Sequence, residues 1–216
     1  MNDLEIKRTC MRDRVRDVLV ARILDGTYPA GQRLKELSLA REFNVSQAPI
    51  REALRELEAS GLVYSERYRG TRVRGTDLQE MRESYDLRMV LEVRAVELGV
   101  PYPPEVLAAL TGHLSGMSLA FDRNDLQNFA EQALLMHRQL VLASGNRTFL
   151  NAWDSLHWEV RGRVALQRIA GRREELKAFI ELHESLLAKL RQGNVLAATK
   201  DLRTIFSRIA RLFSAD

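Results

Sequence analysis

The chain has 216 residues, 45% of them hydrophobic, with 33 Lys and Arg against 29 Asp and Glu for a formal charge of +4. This length suits two modest domains with ordinary cores, and the lack of a long apolar run or a charged-then-apolar leader predicts a protein that neither spans a membrane nor is secreted. One cysteine, Cys10, excludes an intrachain disulfide and fits a cytoplasmic protein, while 6% aromatic content argues against a stacking platform for single strands.

The first nine residues read as a loose arm. Residues 11–24 are predicted to form a helix with Val15, Val18, Leu19 and Ile23 inward, followed by a turn over 25–32 that carries Gly26, Pro29 and Gly31. A short helix from Glu36 to Phe43 is joined through Asn44-Val45 to a longer one. Ser46 is placed to accept hydrogen bonds from the free amides of that helix's first turn, where Pro49 is tolerated. Ile50, Leu54 and Leu57 recur at helical spacing and point to a core, while Gln47, Arg51 and Arg55 fall on another side. Two short helices with a tight turn, the second basic near its start, have the layout of a helix-turn-helix. Gly61 ends the helix, and Leu62-Val63-Tyr64 and Thr71-Arg72-Val73 then alternate as short strands. The hairpin between them carries Arg67 and Arg69 at its tip, the arrangement of a wing. A surface helix followed by an unrelated hairpin would leave the order of these signals unexplained.

Gly75-Thr76 marks a boundary, with domains at 1–75 and 76–216, and Thr76 with Gln79 reads as a capping box. Beyond it the pattern is helical throughout, over 77–99, 103–121, 125–144, 148–170, 172–192 and 195–214. The predicted fold class is mainly α, a winged helix-turn-helix with a small β-hairpin followed by a six-helix bundle whose core suits a small-molecule pocket. Residues 1–76 hold 15 basic and 11 acidic side chains, so the excess positive charge lies wholly in the segment with the helix-turn-helix.

Gly31-Gln32-Arg33-Leu34 with Glu36, Leu39-Ala40, Val45-Ser46, Pro49-Ile50-Arg51-Glu52-Ala53-Leu54, Leu57-Glu58, Gly61-Leu62-Val63 and Arg69-Gly70 resemble the winged-helix domain of the GntR family of bacterial transcription regulators. Arg88, Leu91-Glu92, His137 and Gly145-Asn146 resemble the C-terminal FCD-type domain of its FadR subfamily, and six helices point to the VanR-like branch. The resemblance implies a cytoplasmic homodimer that binds an inverted-repeat DNA operator, a repressor by the family's habit, controlled by an effector such as an organic acid. It carries DNA contact onto Ser46, Gln47, Ala48, Arg51, Arg67, Arg69 and Gly70. Gln47 and Ala48 stand where the family commonly has Arg and Thr, so a different operator is expected: Gln suits adenine and Ala a thymine methyl.

Many proteins of this subfamily hold a divalent metal through an Asp and three His. Here His137 and His183 match two of those positions, but Ala133 and Ile205 replace the others, so no metal or other cofactor is expected. His137 and His183, with Arg88 and with His157 as a further candidate, are instead expected to hydrogen-bond an organic effector. Arg88 paired with Glu92 on its own helix is the plainer reading of that residue, and Trp153 and Trp158 read as core. A metal on His137 and His183 is the lesser reading of the pair. Two rivals stand beside the ligand-controlled regulator: a DNA-binding regulator without an effector site, and a metalloenzyme using His137, His157 and His183. The last leaves the helix-turn-helix unexplained and shows no general base, so no enzyme is expected.

Overall fold

The computed structural model describes residues 10–66, 69–74, 77–156 and 158–214. Two compact units emerge, residues 1–76 and 77–216. Arg67, Thr76 and His157 lie outside the described residues, as does the N-terminal arm.

The first unit runs α1 (Met11–Leu24), β1 (Arg33–Leu34), α2 (Glu36–Glu42), α3 (Gln47–Ala59), β2 (Val63–Glu66) and β3 (Gly70–Val73). Its core draws Val15 and Leu19 from α1, Leu39 from α2, Ile50, Leu54 and Leu57 from α3, and Val63 and Val73 from the hairpin, all at most 4% exposed. Val18, expected inward, is 42% exposed. Two left-handed residues shape the helix ends. Asn44 (φ 53°) lets Val45 N–H reach the Ala40 carbonyl at 3.0 Å, and Gly61 (φ 76°) lets Leu62 N–H reach that of Leu57 at 2.9 Å. Both are Schellman closures, and they turn α2 into α3 and α3 into the hairpin within a few residues.

The sheet has three strands, not the two expected, in the order β1-β3-β2 with antiparallel pairing. β1 pairs Arg33 with Arg72 and Leu34 with Thr71. A two-residue strand has no period for a sequence to display. Its existence depends on partners nearly forty residues away.

The second unit is entirely helical among the described residues: α4 (Leu78–Gly99), α5 (Pro104–Asp122), α6 (Leu126–Ala143), α7 (Arg147–Asp154), α8 (Trp158–Ile169), α9 (Arg173–Arg191) and α10 (Val195–Arg211). The single helix expected over 148–170 is two, so seven helices replace six. The chain leaves α7 at Ser155, and Trp153 and Trp158 on either side of the break are both buried, with ring centroids 6.3 Å apart. An unbroken helix would place two residues five apart on different faces; the break lets both indoles enter one core. α4 packs on α10, α5 on α6 and α9, and α9 on α10. No helix among the described residues is long and apolar enough to cross a membrane.

The cap of α4 differs from the expected box. Asp77 accepts from the amides of Gln79 (2.8 Å) and Glu80 (3.1 Å) and takes the N-cap position that the sequence pattern assigned to Thr76. Asp77→Ala should therefore destabilise the full chain by about 1 kcal/mol in urea unfolding, whereas Asp77→Asn, which keeps an acceptor oxygen, should retain most of the wild-type stability. Equal stability of wild type and Asp77→Ala would remove the cap from this residue.

Candidate functional site

The exposed face of the first unit is built on α3. Ile50, Ala53, Leu54 and Leu57 anchor one side of the helix in the core and leave Gln47, Ala48, Arg51 and Arg55 exposed on the other. Ser46 is the N-cap residue and is exposed, but its hydroxyl makes no capping bond, which corrects the expectation. The reason is local. The third helical position, whose amide an N-cap oxygen favours, is Pro49, which has no N–H.

Arg51 keeps 53% of its side chain exposed and is held in a defined direction by Glu36 at the start of α2. Its Nε donates to Glu36 Oε2 at 3.0 Å and its Nη2 to the same oxygen at 2.9 Å. The Glu36 hydrogen bond raises the guanidinium pKa above its ordinary value. Glu36, the first residue of α2, thus joins the two helices of the helix-turn-helix through the side chain that the sequence singled out. The fifteen-residue separation of Glu36 from Arg51 hides their contact in the sequence.

At the wing, Arg69 is 78% exposed, with Glu66 at 3.9 Å. Gly70 takes a left-handed φ of 83° that disfavours a side chain, and a Cβ there would meet the Arg33 Nε at 3.2 Å. Arg33 therefore lies against the hairpin beside Gly70, a basic residue on a strand too short to show in the sequence. Arg72 donates from Nη1 to the Gly31 carbonyl at 2.8 Å, tying the wing to the loop before β1.

The second unit holds a partly open cavity of about 90 Å³. Arg88, His137 and His183 line it, so three of the four residues proposed from the sequence converge on one space. Ala133 and Ile205 line the same cavity. All three polar residues are at most 4% exposed. Arg88 and His137 share one partner, Glu92, fully buried on α4. Glu92 Oε1 accepts from Arg88 Nε at 2.7 Å and from Trp153 Nε1 at 2.9 Å, while Oε2 accepts from His137 Nδ1. Burial pushes the Glu92 carboxyl up, but the charges of His137 and Arg88 and their hydrogen bonds overcome it and hold the group down at about 2.

The chain continues to α9. His137 Nε2 lies 3.1 Å from His183 Nε2, and His183 Nδ1 donates to the Phe179 carbonyl at 2.6 Å. Burial lowers the His183 pKa, and the neighbouring His137 lowers it further, to about 3. The ring is neutral, so its Nε2 is an acceptor for His137 Nε2–H. Every nitrogen of both imidazoles is already engaged by a protein group. The Arg88 guanidinium sits among four rings, with its carbon 4.9 Å from the Trp158 centroid, 5.4 Å from Trp153, 5.5 Å from Phe206 and 5.9 Å from Tyr85.

These residues do not make a metal cage. Among the described residues no three His, Cys, Asp or Glu side chains are placed to hold an ion. The two cavity positions that would complete such a set are the methyl group of Ala133 and the aliphatic chain of Ile205. Zinc sites ordinarily take three or four protein donors.

Comparison with known proteins supplies the frame for both surfaces. Residues 11–73 match the family described as bacterial regulatory proteins, gntR family, and residues 83–208 match the FCD domain. A protein described as the D-xylose utilization operon transcriptional repressor of Paenarthrobacter nicotinovorans is 31% identical over 189 residues, which cover 88% of this chain and 82% of that protein. The gluconate operon transcriptional repressor of Bacillus licheniformis is 30% identical over 200 residues, 91% of this chain and 82% of its own length. Among solved structures, E. coli McbR/YncC superposes with a TM-score of 0.74 at 24% identity, covering 94% of this chain and 97% of that one. A candidate GntR regulator from Rhodococcus sp. RHA1 gives 0.74 at 22% identity, over 94% and 96% of the two chains.

The buried cluster has a defined pH dependence. His183 binds its proton more weakly when folded, at about 3 against an ordinary 6.5, so protons favour the unfolded chain between those values. Its contribution to stability is complete above about pH 6.5 and falls as pH drops toward 3. Glu92, held at about 2 against an ordinary 4.5, adds a further loss only below pH 4.5. Unfolding free energy should decline by at most about 1.4 kcal/mol per pH unit and per group on acidification from 6.5. His183→Gln should flatten the part between pH 6.5 and 4.5; an unchanged slope in that variant would show that the ring does not carry it.

Proposed function

For this chain, which belongs to the GntR family of bacterial transcription regulators and carries the family's FCD domain, we propose that a small-molecule effector in the helical cavity controls the binding of residues 1–75 to an operator. The protein is a DNA-binding transcription regulator of the repressor kind and not an enzyme, as its relatives are regulators and both matched families are regulatory. The observation that carries the finer reading is the cavity in which Arg88, His137 and His183 converge.

The division of labour follows from the two units. The exposed side of α3, with Ser46, Gln47, Ala48 and Arg51, enters the major groove. Arg51 reads a guanine edge or a phosphate, directed by Glu36. Arg69 and Gly70, with Arg67 beyond the described residues, approach the backbone beside the groove. Two copies bind an inverted repeat, since a two-fold dimer presents two equivalent reading helices to two half-sites. Exposed Leu87, Val90 and Leu98 recur along α4 and supply an apolar face for pairing through residues 76–216. The protein acts in the cytoplasm, where its operator lies. Effector binding shifts the placement of the two reading helices to the extent that the effector prefers one arrangement over the other. Its class is organic acid, drawn by the Arg88 guanidinium.

Two predictions test this reading. Arg51→Ala should weaken operator binding by about 1–3 kcal/mol in gel shifts, whereas Arg69→Ala should weaken all sequences similarly and lower the salt slope by about one. An Arg51→Ala protein that binds its operator like wild type would sink the assignment of α3. Ala133→Leu, which fills the cavity wall, should abolish release of operator DNA by metabolites that release the wild type, with operator affinity unchanged within a few fold. Release that survives the filled cavity would move the effector site elsewhere.

A further inference from the structure

Resting on the effector reading above, we propose that the cavity takes a small, predominantly apolar monocarboxylate directly, without a bridging metal ion. The wall sets the class. Phe129, Ala130, Leu134, Phe179, Ile205 and Ile209 line the space, and the polar side chains Arg88, His137 and His183 form one bonded cluster through Glu92. There His137 and His183 are bonded to each other and, outward, to Glu92 and the Phe179 carbonyl. Tyr85, also in the wall, directs its hydroxyl to the Arg161 carbonyl at 3.4 Å. A ligand rich in hydroxyls would lose its hydration to a wall that offers few partners in return, and each stranded hydroxyl lowers affinity.

Arg88 sets the head group. Its Nε–H goes to Glu92 and four aromatic ring centroids lie 4.9–5.9 Å from its carbon, while the residue also lines the cavity. A guanidinium has further N–H donors on its Nη atoms, in a planar fork that suits a carboxylate. Both imidazoles have their nitrogens bonded within the protein, so the guanidinium's remaining donors beside an apolar wall match one acid group on an apolar body. Two or three carboxylates would leave charge against Leu134 and Ile209.

Size limits the body. The cavity volume of about 90 Å³ is smaller than the ~150 Å³ apolar cavity that seats benzene, so a body of about four carbons suits it. Ala133 and Ile205 exclude the alternative in which a metal mediates the acid, because both turn apolar groups into the space beside His137 and His183.

The test uses the intact protein and isothermal titration with 3-methylbutanoate, hexanoate, 3-methylbutanol, citrate and gluconate, each before and after dialysis against EDTA. At least one of the two apolar acids should bind at least tenfold more tightly than the alcohol, citrate and gluconate, with no change after EDTA. Gluconate or citrate binding as tightly as the apolar acids would overturn the ligand class while leaving an effector site in place. Alcohol binding equal to that of the acid would overturn the role of Arg88, and loss of binding after EDTA would overturn direct capture. Binding of none of the five would overturn the inference itself, and operator release by a wider metabolite panel would then decide separately whether the cavity is an effector site. A second variant, Ala133→Asp with Ile205→His, restores two metal donors. Once circular dichroism shows it folded, it should gain about one equivalent of zinc and lose at least tenfold in affinity for the apolar acid. A folded double variant that takes no zinc and keeps wild-type acid affinity would show that these two positions do not shape the ligand site.

Discussion

The second unit depends on one buried carboxylate. Glu92 on α4 accepts hydrogen bonds from Arg88 on its own helix, His137 on α6 and Trp153 on α7, and through His137 and His183 the chain of bonds reaches α9. An ionised group at 0% exposure is costly to bury alone; here it has three donors, two of them on other helices. Those partners are not interchangeable with apolar contacts, because removing one would leave the rest as unpaired polar groups in a dry core. The same bonds orient the groups that line the cavity, so the helical packing and the proposed ligand site have a common origin.

Electrostatics inside the cluster are directional. The carboxylate lies at the protein end of the network, and His183 is kept neutral by burial and by the neighbouring ring. The positive character offered to the cavity comes chiefly from Arg88, enclosed by aromatic faces whose quadrupoles favour a cation. Ala133 and Ile205 then set the chemistry by what they lack. At a position suited to a metal donor, an aliphatic group changes a polar corner into apolar wall.

In the first unit the comparable constraint is backbone geometry. Asn44 and Gly61 take left-handed conformations that close α2 and α3 abruptly, so the helix-turn-helix and the hairpin follow one another without slack. The burial of Ile50, Leu54 and Leu57 turns the other side of α3 outward. Glu36 then holds Arg51 across the turn between the two helices. A guanidinium already held in one direction loses less freedom on meeting a partner than a free one.

Much of this was legible without coordinates because it is local. Helical period located α1, α2 and α3 and most of the second unit, glycines and asparagines marked the helix ends, and the alternation after Gly61 announced β2 and β3. The pairing of Arg88 with Glu92 follows from their four-residue spacing on one helix. Folding in three dimensions decided the remainder. β1 exists because β3 lies beside Arg33 and Leu34. The long helix breaks after α7 because two indoles share one core, and Ser46 leaves its capping bond unmade because Pro49 has no amide hydrogen to offer. His137 and His183, forty-six residues apart, become one bonded pair only when α6 and α9 meet, and Trp153 joins them through Glu92 from sixty-one residues away. A sequence displays the periods and turns of each element in its own neighbourhood; the partners of a buried polar group are chosen by whichever distant side chains the packed helices bring within 3 Å.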